Sequence, residues 1–248
     1  MNTKKITSKA NAEIKHLRKI ILDRDYRYAQ KEYAVEGVRA LDGIKEAKKI
    51  FVCEGAEIPK IGSGCTYIVA ENVFKSISST ENSQGVVVTA PLNILGASDI
   101  GKKLKYVLLD RLQDPGNLGT IIRTACAFGL QGVIVTPRCA DPFSPKAARA
   151  AASSLWKMDI VRIEDIGELK DCNLIVADMK GRDISTFAWP DSFILCIGSE
   201  AGGVSPEVKS AAKDLVAIPM STAIESLNAA VACGIMLYSA ITSLECHS

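Results

Sequence analysis

Histidine is nearly absent from this 248-residue chain. There are two, His16 and His247, near opposite ends. The eight cysteines lie at least 12 positions apart, so no C-x-x-C pair exists. Together these gaps exclude the usual zinc-ligand spacings and a dithiol redox motif, and no metal is expected. Aromatic residues make up only 6%. There is no secretory signal at the N-terminus, and Cys196 and Cys233 sit inside apolar runs, where cysteine behaves as a small hydrophobe. A reducing, cytoplasmic setting is the expectation. The longest charge-free run, 226–244, has membrane-span length, but Ser226, Asn228, Ser239, Thr242 and Ser243 interrupt it. It reads as a buried helix, with no membrane partner.

What is present is an ordinary globular balance, 48% hydrophobic and 23% charged, which excludes disorder as the main state. The net charge of +2 hides an asymmetry: residues 1–50 carry 13 Lys+Arg against 7 Asp+Glu, the remainder 17 against 21. A basic front on a mildly acidic body suggests a polyanionic partner for that end.

The N-terminal part reads as a compact α/β unit. A helix is expected over 7–31, then a strand at Tyr33–Gly37, a helix over Val38–Ala47, and strands at Lys49–Cys53, Tyr67–Ala70 and Val86–Thr89. A short helix, Glu71–Ser76, lies between the last two. The stretch Pro91–Lys103 is the linker candidate. Beyond it, apolar runs at Tyr106–Leu109, Val133–Thr136, Leu174–Ala177, Phe193–Ile197 and Leu215–Ile218 alternate with helical stretches at Leu118–Phe128, Lys146–Trp156 and Pro206–Ala212. Continuous apolar strands imply a parallel sheet covered on both faces. A helix over Leu227–Ser243 closes the chain.

Ligands of such sheets bind beyond the carboxyl ends of the strands. Three loops follow strands there: 110–119, 198–203 and 219–228. Neither a Walker phosphate loop nor G-x-G-x-x-G is among them. Asn117 is placed as the N-cap of the next helix. Arg123, one turn after Gly119, is placed to reach back toward an anion at the helix start. Glu200 among glycines is suited to orient a cation. Ser226-Leu-Asn228 precedes the last helix and equally suits its cap.

In this order the segments Asn117-Leu-Gly-Thr-Ile-Ile-Arg123, Ile197-Gly-Ser-Glu200-Ala-Gly-Gly203 and Ile218-Pro-Met220 with Ser226-Leu-Asn228 resemble the three motifs of the SpoU/TrmH family, RNA ribose 2′-O-methyltransferases of the SPOUT superfamily. The segment from Asp141 to Arg149 resembles that family's loop after the second strand. A weaker resemblance links Asn11, Lys15, Arg27, Tyr33–Gly37 and Gln84-Gly85 to the small ribosomal-protein-like substrate-binding domain often fused to these enzymes. Family members often carry Arg-Ala-Ser-x-Gly where this chain has Arg149-Ala-Ala-Ala-Ser153, a departure that bears on RNA contact there.

The resemblance implies a small α/β RNA-binding domain (1–98), a linker (99–105) and a SPOUT parallel-sheet domain (106–248) with a deep trefoil knot. It implies S-adenosylmethionine as cofactor, held by Leu195, Ile197, Gly198, Ile218, Met220 and Leu227, with Thr136 and Gly202 near. It implies Arg123 as the catalytic residue, with Asn117, Glu200, Ser226 and Asn228 orienting it and the ribose. RNA contacts are expected of Lys15, Arg27, Arg39, Lys146 and Arg149, and the active form is a homodimer. Ribosomal RNA, most of all 23S, is the expected substrate. Transfer RNA, a non-catalytic ribosome-assembly role on the same fold, and a small-molecule α/β enzyme are the alternatives.

Overall fold

A computed structural model of the chain describes residues 3–44, 46–59, 61, 64–78, 83–101, 105–221 and 226–245. In chain order the first elements are β1 (Thr3–Ile6), α1 (Ala12–Leu22), α2 (Arg24–Gln30), β2 (Glu32–Glu36), β3 (Lys49–Cys53), β4 (Cys65–Val69), α3 (Glu71–Phe74) and β5 (Val86–Pro91). There follow β6 (Lys105–Asp110), α4 (Pro115–Ala127), β7 (Gly132–Val135), α5 (Pro145–Ala151), β8 (Asp159–Arg162), β9 (Leu174–Asp183), β10 (Phe193–Gly198), α6 (Pro206–Ala211), β11 (Asp214–Ala217) and α7 (Ala229–Glu245). The chain divides into two compact units, Met1–Asn93 with Asp141–Lys157, and Ile94–Ala140 with Met158–Ser248.

The first unit is a five-stranded sheet in the order β1-β4-β3-β5-β2. β1, β4 and β3 run parallel, and β5 pairs antiparallel with β3 and β2. Alternation along β3 sends Phe51 to one face, with Ile14, Leu17 and Ile20 of α1. It sends Ile50 and Val52 to the other, with Leu41, Ile61 and Val88. Each fully buried aliphatic side chain contributes roughly 1.5–3 kcal/mol by leaving water.

The helix expected over 7–31 is two helices. Asp23 adopts an extended conformation (φ −113°, ψ 112°), and its carboxylate accepts the Tyr26 amide at 3.0 Å, capping α2. Likewise the helix expected over 38–47 shrinks to one 3-10 turn, Val38–Leu41. The left-handed Gly43 (φ +77°) follows it.

Arg27 is a correction to the sequence reading. Its guanidinium is turned away from solvent; the residue is 3% exposed. Nη2 and Nε donate to Asp141 Oδ2 at 2.7 and 3.2 Å, and Nη1 donates to the carbonyls of Ile20 and Ile21. Tyr28 donates its hydroxyl to Asp141 Oδ1 at 3.0 Å. This cluster, with Phe143 and Trp156 edge-on and tilted against Tyr33, seats residues 141–157 in the first unit. The expected domain 106–248 is therefore interrupted by a segment that packs with the N-terminal strands.

The second unit is a six-stranded sheet, wholly parallel, in the order β11-β9-β10-β6-β7-β8. Strand β8, Asp-Ile-Val-Arg, is an addition to the sequence reading. The stretch 91–103 does not behave as a free linker: Leu95 bridges Val161, and Leu95, Ala97 and Ile100 pack on the core of this unit. Residues 102–104 lie outside the described residues. Among the described residues, no helix is long and apolar enough to cross a membrane.

Candidate functional site

The site grows from the carboxyl ends of β6 and β10, which finish side by side with Asp110 opposite Gly198. Asp110 is 3% exposed. Its Oδ2 accepts the Ser205 amide at 2.6 Å, and Thr136 Oγ1 lies 3.3 Å from Oδ1. Thr136 Oγ1 also accepts the Arg111 amide at 3.1 Å. One buried carboxylate thus registers the loops after three strands.

The loop after β10 is a tight turn. Ser199 and Gly203 exchange backbone hydrogen bonds at 3.1 and 2.9 Å. A Cβ at Gly198 would stand 2.0 Å from the Gly203 carbonyl carbon, and Gly203 itself has φ +60°. Only glycine fits both positions. The turn carries Glu200 at its exposed tip.

Glu200 Oε1 accepts Asn117 Nδ2 at 2.6 Å, and Asn117 Oδ1 accepts Asn228 Nδ2 at 3.0 Å. The amide of Asn117 therefore joins residues from three loops. This arrangement corrects the expected cap. Helix α4 begins earlier, with Pro115 in its first turn and Asp114 as N-cap, whose Oδ2 accepts the Asn117 amide at 2.8 Å. Because Asp114 does the capping, the Asn117 side chain is available to the other loops. Asn228 caps α7 through Oδ1, which accepts the amides of Ala230 and Val231 at 2.9 and 3.2 Å.

Behind this network lies a cavity of about 450 Å³. Its walls include the whole 198–204 turn, Ala217 at the end of β11 with Ile218 and Met220 after it, Ser226 and Leu227 just before α7, and Met236 within it. Of the residues expected at a cofactor, Ile197, Gly198, Gly202, Ile218, Met220 and Leu227 line it. Leu195 is fully buried inside β10, and Thr136 stands at the end of β7 holding loops together. Of the expected catalytic group, Glu200 and Ser226 line the cavity, and Asn117 and Asn228 are tied to Glu200. Arg123 is exposed on α4. Among the described residues no hydrogen bond or ion pair engages its guanidinium.

Lys15, Lys146 and Arg149 are exposed on α1 and α5 of the first unit. The backbone of Arg39 lies in the 3-10 turn after β2, and its side chain lies outside the described residues.

Sequence reasoning missed Asp178 and Lys209, which also line the cavity. The signal was available, since Asp178 directly follows the expected strand Leu174–Ala177. The Lys209 ammonium holds the Asp178 carboxyl below the usual carboxylate range. Burial pushes the thiols of Cys196 and Cys233 up, the latter to about 12, so both are inert packing groups.

Residues 105–238 match the SpoU rRNA Methylase family. An uncharacterized tRNA/rRNA methyltransferase of Synechocystis is 36% identical over 185 residues, 71% of this chain and 66% of that protein. The 23S rRNA (guanosine(2553)-2′-O)-methyltransferase of Bacillus subtilis is 29% identical over 248 residues, covering 95% of this chain and 98% of its own length. The AdoMet-bound rRNA methyltransferase of Sinorhizobium meliloti superposes with a TM-score of 0.86 at 30% identity, covering 98% of each chain. With a parallel sheet of matching architecture, and with Asn117, Glu200 and Asn228 joined beyond the carboxyl ends of its central strands, this chain belongs to the SpoU rRNA methylase family.

Proposed function

We propose that this protein transfers the methyl group of S-adenosylmethionine to a ribose 2′-hydroxyl of 23S ribosomal RNA. The observation that carries the reading is the Asn117 amide bridging Glu200 and Asn228 at the mouth of the cavity, on the helix that presents Arg123.

The cavity suits the cofactor. Its volume, about 450 Å³, falls within the range of small-molecule sites. Ile218, Met220, Leu227 and Met236 offer apolar surface to an adenine, while the glycine turn offers backbone groups at close approach. Ile197, Gly198, Gly202, Ile218, Met220 and Leu227 are the residues assigned to hold it. Bound there, the cofactor supplies a methyl group already activated by its sulfonium, so the chain needs no nucleophile of its own. A ribose hydroxyl is a weak nucleophile, and the work left to the protein is to position it and stabilise its developing negative charge. Arg123 is assigned the second task. A guanidinium stays protonated, so it serves as an oxyanion or phosphate binder rather than a base. Asn117, Glu200, Ser226 and Asn228 orient it and the sugar.

The remaining assignments belong to the same reading. The first unit binds RNA through Lys15, Arg39, Lys146 and Arg149. The C-terminal chain forms a deep trefoil knot. Val231, Ile235 and Tyr238 are exposed at one-helical-face spacing on α7, which supports self-association as a homodimer. The setting is cytoplasmic. Arg123→Ala tests the reading: S-adenosylmethionine still binds, and methyl transfer to ribosomal RNA falls ~10²-fold or more, as for loss of a preorganised charge-stabilising donor. An unchanged rate removes Arg123 from the reaction.

A further inference from the structure

The pairing of β9 with β11 jumps. Leu215 stands opposite Val176, but the next residue, Val216, stands opposite Arg182. Residues 177–181 are thereby extruded from the ladder, a bulge of the kind that re-aims side chains beside functional sites. Gly181 permits it, since a Cβ there would stand 2.4 Å from the Val216 nitrogen. The bulge delivers Asp178 to the cavity wall.

Asp178 is held firmly. Oδ2 lies 2.5 Å from Lys209 Nζ, and Oδ1 accepts the Lys180 amide at 2.9 Å. Its side chain is 15% exposed, against 39% for Lys209. Among the described residues, three charged ones line this cavity: Asp178, Glu200 and Lys209. Glu200 is committed to Asn117 at the mouth. These described residues sum to one negative charge, and the less exposed of the two carboxylates is Asp178. A neutral ligand gains nothing from such a wall, whereas a cation gains Coulomb energy that partial burial leaves poorly screened.

We infer that Asp178, anchored by the Lys180 amide and paired with Lys209, receives a cationic group of the cofactor and makes the cavity select for positive charge. The inference rests on the cavity's being the S-adenosylmethionine site. S-Adenosylmethionine carries a sulfonium, an ammonium and a carboxylate, S-adenosylhomocysteine the ammonium and carboxylate without the sulfonium, and 5′-methylthioadenosine none of the three, so each variant is compared with the wild-type chain ligand by ligand. Isothermal calorimetry with all three ligands on the full chain separates the possibilities. Asp178→Asn keeps the shape and the acceptor for the Lys180 amide, so the bulge is retained. In this variant the preference for S-adenosylmethionine over methylthioadenosine falls about tenfold, the equivalent of ~1.4 kcal/mol. Lys209→Gln leaves that preference unchanged or raises it, because it frees the carboxylate. If affinity for S-adenosylhomocysteine falls together with that for S-adenosylmethionine, Asp178 meets the ammonium; if only S-adenosylmethionine weakens, it meets the sulfonium. A purely structural pair moves all three ligands by one common factor, or lowers the preference equally in both variants, and either result overturns the inference. Failure of the wild-type chain to bind S-adenosylmethionine overturns instead the reading of the cavity.

Discussion

Replacing Arg27 by methionine separates a structural arginine from an RNA-binding one. The change removes two hydrogen bonds to Asp141 and leaves the carboxylate, with a side chain 8% exposed, without its cation. Tyr28 and the Phe143 amide continue to donate to it. Removing one partner of a buried ion pair costs about 3–5 kcal/mol, a large part of the 5–15 kcal/mol that stabilises a typical domain. The chain has two tryptophans. Trp156 stacks near Tyr33 in the first unit, with ring centroids 5.0 Å apart, so its fluorescence in a Trp189→Phe background follows urea unfolding of that unit. Arg27→Met is expected to lower the unfolding midpoint accordingly. Adding Asp141→Asn recovers part of the loss, because no charge is then buried alone. Above the shifted transition midpoint RNA binding is lost with the fold; below it, the salt dependence of RNA affinity is unchanged, since no phosphate contact has gone. A stability loss under about 1 kcal/mol refutes the argument, as does a drop of ~0.7–0.9 in the salt slope.

Asn117→Ala severs the link between Glu200 and Asn228; methyl transfer is expected to fall ~10-fold or more, while cofactor affinity by calorimetry changes little, because only the positioning of reacting groups is lost. Ala152 holds φ +51° and ψ −136°, a conformation suited to glycine, so Ala152→Gly is expected to raise stability by about 1 kcal/mol in denaturant titrations. Tyr28 is pushed up to about 12 by burial and the adjacent Asp141, and Tyr106 to about 12 by burial and Asp159. Folded values above the ordinary one mean that their neutral forms stabilise the fold fully below pH 10 and lose that effect as pH rises from 10 toward 12. Unfolding midpoints measured across that range should fall, and should fall less in Tyr28→Phe.

The parallel sheet was legible because β6, β7, β9 and β10 each contain an uninterrupted run of apolar residues, the mark of strands covered on both faces. Strand β8 escaped because Asp159 and Arg162 bound an apolar core of two residues. The break at Asp23 escaped because Ile20–Leu22 and Tyr26–Tyr28 fit a single helical period; only the capping geometry divides them. Charge counting pointed to a basic first unit but could not tell exposed Lys15 from buried Arg27, because the partner, Asp141, lies 114 positions away. The same distance in sequence hid the placement of 141–157. At the site, strand ends and glycines located the loops, whereas the role of Asn117 depended on where α4 begins. The one-turn difference between Asp114 and Asn117 as cap decides whether that side chain serves its own helix or links the loops of Glu200 and Asn228.

Incubating the protein with methyl-tritiated S-adenosylmethionine and 23S ribosomal RNA from cells lacking it, then hydrolysing the RNA in alkali, decides whether the protein methylates a ribose 2′-hydroxyl. Ribose methylation leaves the label in alkali-resistant dinucleotides, the product of a blocked ribose 2′-oxygen. Label recovered only in hydrolysed mononucleotides, or none transferred to the RNA at all, contradicts it.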